Sequence, residues 1–140
     1  MMRRSTFGFL ALVALLGGCV ASGQQQQLYP VQRIDLTPEI RTAIENGVRH
    51  GMKDPYSAMF GTIIAGQRVW QGQNEIVACG YVNSKNSFGG YVGMQPFEGK
   101  LSPTTGQFQL VATGDQSPNA ALMIGGSCRG AGLPILDMAP

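Results

Sequence analysis

Apolar residues follow three different rhythms along this chain. Residues 7–16 are almost wholly apolar, and residues 20–34, which include a short glutamine tract at 24–27, offer little that could enter a core. From Ile40 the spacing becomes helical: Ile40, Ile44, Val48 and Met52 recur every four residues beside Ala43 and Gly47, making one apolar stripe. Beyond Gly61 the rhythm breaks into short runs between glycines and prolines, the pattern of strands and tight turns.

The start of the helix is well marked. Thr37 is placed to cap it, Pro38 brings a fixed φ to the first helical position, and Glu39 faces the positive end of the dipole. Arg49, His50 and Lys53 fall in the last turn, and Pro55 disfavours helix at Asp54, where the helix is predicted to stop. Asp54 is then placed to cap a short turn carrying Ala58, Met59 and Phe60. Residues 62–71, 75–83, 90–97, 107–113 and 120–125 are predicted strands, with turns at Gly72-Gln73-Asn74 and Pro103-Thr104-Thr105-Gly106. Connections this short join antiparallel neighbours, because a parallel return needs a crossover of about a dozen residues or more. The predicted architecture is α+β: an N-terminal helix packed on an antiparallel meander of four to five strands, one face of the sheet open or partly covered.

The N-terminal run changes the picture of where this domain sits. Met1-Met2-Arg3-Arg4 is a basic lead, and the ten residues 7–16 are about half of what a membrane-spanning helix needs. The sequence Leu16-Gly17-Gly18-Cys19 resembles the lipobox of bacterial lipoproteins, in which a small-residue neck precedes an acylated cysteine. The resemblance implies a cleaved signal peptide at 1–18, lipidation of Cys19, a flexible linker over 19–35 and a single periplasmic domain over 36–140. Each buried acyl CH₂ contributes about 0.8 kcal/mol, so two or three chains anchor the protein without a protein span. Val20, where an Asp would favour retention, directs the protein by analogy with enterobacterial sorting to the outer membrane, with the inner membrane as the alternative.

Composition narrows the function. Charged residues make up 13% of the chain, about half the usual share, and apolar residues 44%. Once Arg3 and Arg4 leave with the signal peptide, eight basic residues balance eight acidic ones, which argues against a nucleic-acid partner. Cys79 and Cys128 remain after Cys19 is acylated. In an oxidising compartment the pair reads most simply as a disulfide, since neither further metal ligands nor a Cys-x-x-Cys spacing accompanies it. His50 is the sole histidine, and Pro55 separates it from a helical pairing with Asp54, so it reads as a dipole partner and not a catalytic base. Gly-x-Ser-x-Gly is absent, and Gly90-Tyr91-Val92-Gly93 lacks the strand-to-helix setting of a nucleotide loop. No catalytic residue, metal or cofactor is expected.

Two segments carry a further resemblance. Lys53-Asp54-Pro55-x-Ser57-Ala58-x-Phe60, followed by Cys79-Gly80-x-Val82-Asn83-x-Lys85-Asn86-Ser87-Phe88-Gly89-Gly90-Tyr91-x-Gly93, is similar to a KDPxSAxF…CGxVNxKNxxGGYxG pattern in a group of small uncharacterised exported lipoproteins of proteobacteria. That resemblance implies no activity, and places Cys128 where a C-terminal partner for Cys79 is expected. The order of helix before antiparallel sheet behind a lipid anchor is also similar, as fold-level analogy, to the small lipoprotein of the outer-membrane β-barrel assembly machine.

Residues 83–91 read as a hairpin tip, with Asn86-Ser87 and Gly89-Gly90 as turn formers. Asn83, Lys85, Asn86, Phe88 and Tyr91 are the candidate recognition residues. The alternative is that Phe88 folds back onto the sheet and the asparagines serve only the loop's own backbone. The expected function is a non-enzymatic envelope lipoprotein acting as a structural or protein-interaction module. The alternative is a periplasmic module binding peptidoglycan or a small molecule, for which a pocket near Trp70, Tyr81 and Tyr91 would be the sign.

Overall fold

The computed structural model describes residues 30–137; the predicted signal peptide, Cys19 and residues 20–29 of the predicted linker lie outside them. Along these residues run strand β1 (Gln32–Ile34), helix α1 (Pro38–His50), a 3-10 turn (Pro55–Ser57), and strands β2 (Met59–Trp70), β3 (Gln73–Asn83), β4 (Gln95–Leu101) and β5 (Phe108–Thr113). Helix α2 (Pro118–Gly130) and a second 3-10 turn (Ile135–Asp137) complete them. The strands form one antiparallel sheet in the order β1-β2-β3-β4-β5. The α+β class and the N-terminal helix on an antiparallel sheet match the expectation; the second helix does not.

Residues 120–125, predicted as a strand, lie inside α2. The run is too short for its period to distinguish strand from buried helix. Its start decides the matter: Ser117 accepts a hydrogen bond from Ala120 N at 3.2 Å and Pro118 follows, repeating the Thr37-Pro38 start of α1. β4 likewise begins at Gln95 instead of residue 90, because the backbone takes positive φ at Gly89 (81°) and Gly93 (87°) and leaves the extended conformation. α1 ends at His50, a turn before Asp54, with Gly51 as its C-cap. The end of the predicted linker is ordered as β1, paired Gln32 to Gln67 and Ile34 to Ala65. The β2–β3 turn is Gln71-Gly72, both at positive φ (50° and 77°), the two-residue form that matches the twist of a hairpin.

β3 is the centre of the molecule and is buried on both sides. Ile76, Ala78 and Val82 face a core shared with Ile44 and Val48 of α1, Ile63, Ala65, Phe97 and Leu101. The alternate residues Val77, Cys79 and Tyr81 face a second core with Ile124, Cys128, Leu133 and Ile135. Period two in β3 thus serves two layers at once, α1 on one face and α2 with its following chain on the other. Each large aliphatic or aromatic side chain so buried contributes about 1.5–3 kcal/mol. The Cys79–Cys128 disulfide ties the second layer to the central strand, with Cα atoms 6.2 Å apart.

α1 lies close against β5 because two glycines make room for Phe108. A Cβ at Gly47 on the helix, or at Gly99 on β4, would fall inside the Phe108 side chain.

Candidate functional site

At one end of the sheet, the chain after α1 and the loop between β3 and β4 lock together. Arg49, in the last turn of α1, donates through Nη1 to the carbonyls of Pro55 (3.1 Å) and Ala58 (3.0 Å). Its guanidinium carbon also lies 4.9 Å from the centre of the Phe60 ring, which meets Phe97 edge-on in the core. One arginine therefore ties the 3-10 turn to the helix and the sheet. Asp54 makes no side-chain cap here; instead the Ser57 hydroxyl donates to the Asp54 carbonyl at 2.8 Å. The same hydroxyl accepts the Lys85 backbone N–H at 2.8 Å. A serine can do both because its oxygen is donor and acceptor at once.

The loop of residues 84–94 is held from within. Asn86 Oδ1 accepts from Phe88 N (2.9 Å) and Gly90 N (3.1 Å), while Asn86 N donates to Gly90 O at 2.9 Å. Asn83 Oδ1 accepts from Gly93 N at 3.0 Å. A single bridge joins Lys85 to Tyr91, and the Lys85 ammonium lies 5.5 Å from the centre of the Tyr91 ring. The Ser84 hydroxyl reaches Met52 Sδ at 3.5 Å, closing the loop against the chain that leaves α1.

What this scaffold displays is aromatic. Phe88 is 97% exposed, so it does not fold back onto the sheet, and Tyr91 is half exposed. Tyr56, beside Ser57 on the 3-10 turn, is 99% exposed. Two hollows flank the tip. One of about 440 Å³ is bounded by Asn46, Arg49, His50, Pro55 and Tyr56. The other, of about 320 Å³, lies among Met52, Lys85, Asn86, Val92, Gln95 and Gln116.

Of the residues singled out from sequence, Lys85, Phe88 and Tyr91 are thus brought together on one tip. The side-chain oxygens of Asn83 and Asn86 act on the loop's own backbone. Arg49, Tyr56 and Ser57 belong to the same site but were not among the candidate recognition residues; Ser57 joins it through its contact with Lys85, 28 residues away, which no local pattern signals. Trp70, Tyr81 and Tyr91 share no pocket. Trp70 lies at the other end of β2, and Tyr81 is buried with its hydroxyl donating to Ile135 O at 3.2 Å. His50 Nδ1 bonds the Asn46 carbonyl at 2.7 Å, not Asp54. Among the described residues, no three His, Cys, Asp or Glu side chains gather as a metal site, and no helix is long and apolar enough to cross a membrane. No family model, curated protein or solved structure matches this chain.

Proposed function

We propose that this protein is a non-enzymatic lipoprotein of the bacterial envelope, held in the outer membrane by acylated Cys19, and that its domain binds a partner protein through the tip formed by residues 54–60 and 83–93. The observation that carries the proposal is the contrast between the tip's backbone and its side chains. The backbone is fixed by Arg49, Ser57, Asn83 and Asn86, while Tyr56 and Phe88 stand almost fully in solvent. Exposed aromatics on a fixed backbone lose little further freedom on binding, the economy expected of an interface anchor. The tip is also far from the tether. β1 enters beside Gln67, and the roughly 25 Å of β2 from there to Met59 separates that point from the loop.

A photo-crosslinking residue at Phe88 in intact cells, with the same residue at exposed Val111 as control, tests the reading. A discrete adduct from position 88, absent from position 111, is expected. Lys85→Ala with Phe88→Ala should weaken capture of that partner at least tenfold while changing stability by less than about 1 kcal/mol, because Phe88 is exposed and half-buried Lys85 gives up only its contact with the Tyr91 ring. Cys19→Ala should leave an unprocessed precursor. Retention of the partner by the double variant, or a stability loss above about 2 kcal/mol, would sink the proposal.

A further inference from the structure

The end of the sheet opposite the tip has its own chemistry. Trp70, the sole tryptophan of the chain, closes β2 and lines a cavity of about 560 Å³ with Gln73, Glu75, Lys100, Ser102 and Gln109. The guanidinium carbon of Arg68 lies 5.1 Å from the centre of its ring and the Lys100 ammonium 5.8 Å. The Glu75 carboxylate holds both cations, Arg68 at 2.6 Å and Lys100 at 3.7 Å. Next to Trp70, on the other face of the sheet, Val69 is 64% exposed. The chain also enters the domain at this end. Gln32 pairs with Gln67, three residues before Trp70, and Val31 N donates to Ala131 O at 3.0 Å.

We propose that this end is seated in the phospholipid headgroup layer of the membrane that holds Cys19, with Trp70 and Val69 at the glycerol level and Lys100, a third exposed, among the phosphates, while Arg68 stays largely buried against Glu75 and the indole. The inference rests on the lipid-anchor reading above. Even fully extended, the chain from Cys19 to Pro30 reaches only about 38 Å, so the end where the chain enters stays within reach of the bilayer. Tethering converts docking into an intramolecular step, for which a weak seat suffices. The chemistry is that of such a seat: an amphipathic indole prefers the interface, and the Lys100 ammonium beside it, 3.7 Å from Glu75, is within reach of a headgroup phosphate. The opposite end, with Tyr56 and Phe88, is then turned away from the bilayer.

Because Trp70 is the only tryptophan, its emission reads the seat directly. The full lipoprotein, with acylation of Cys19 checked by mass spectrometry, is reconstituted into phosphatidylethanolamine–phosphatidylglycerol vesicles. A quencher on lipid headgroups or upper acyl carbons should lower Trp70 emission at least twofold, a quencher deep in the chains much less, and aqueous iodide less than in the reduced, unfolded protein. Val69→Asp, at a position 64% exposed, should cut the lipid quenching by half or more while leaving the thermal transition in place. Acylated protein whose Trp70 is quenched by iodide and not by lipid overturns the seat and leaves the anchor standing. Unacylated Cys19 overturns both. A change in Trp70 emission on adding soluble peptidoglycan strands, without lipid quenching, assigns the cavity to a glycan and overturns the proposal.

Discussion

Phe108 sits in a slot made by what its neighbours lack. In the middle of an exposed helix, exchanging a glycine for alanine stabilises by about 1 kcal/mol. At Gly47 the added methyl would occupy the space of the Phe108 side chain, so the ordinary sign reverses. Gly47→Ala should lower the stability measured by denaturant unfolding by about 1–3 kcal/mol, the usual cost of overpacking. Phe108→Ala empties the slot between Gly47 and Gly99 and should cost about 3 kcal/mol. Combined, the two changes should cost less than their sum, because the new methyl enters the space that the ring has left. Strict additivity would show that the helix shifts away from β5 instead.

The two helices are begun by the same device. Thr37 accepts the Ile40 N–H and Ser117 the Ala120 N–H, each followed by proline. Two carboxyls at these starts are held below their ordinary values. Glu39 is lowered first by a backbone hydrogen bond and then by Thr37. Asp115 is lowered first by the Ser117 hydroxyl and then by its N–H. A depressed carboxyl adds stability above its unfolded value, and this is lost as pH falls through the folded one. Asp115→Asn should therefore lower the melting temperature at neutral pH, and the difference from the native protein should close in strong acid; a difference that persists there would assign the loss to geometry, not charge. These starts also explain how much of the fold is legible in sequence. α1 is legible because cap, proline and a long stripe agree. The apolar run at 120–125 misleads because it is short, although Ser117-Pro118 before it carries the deciding cue. β1 is hidden because three residues acquire their extended form only from β2, some thirty residues on (Ile34 against Ala65). The tip is legible as a loop from its Asn and Gly residues, but its second half, around Ser57, is fixed by a contact 28 residues distant that no local pattern records.

Across the whole molecule, the disulfide is what joins the layer of α2 to the sheet. It closes a separation of 49 residues, which in the chain-entropy account contributes about 4 kcal/mol of a total near 5–15 kcal/mol. Both cysteines are fully buried. Without reductant and under native conditions, alkylation should therefore find no free thiol in the domain, and reduction should lower the melting temperature clearly. Deprotection of the Val77, Cys79 and Tyr81 side of the core should accompany it, seen as a change in the near-ultraviolet signal of Tyr81. Free alkylation of the unfolded, unreduced protein at both positions would refute the bridge.

The direction of β1 has a mechanical consequence. The chain enters at one end of the sheet and the tip lies at the other, so a pull between them runs along the strands. Under that load the three β1–β2 pairs, and the Val31–Ala131 bond beside them, are strained in shear and must yield together. A sideways pull would peel them one at a time, at lower force. A three-residue strand thus resists best along the axis that links the chain's point of entry to the tip.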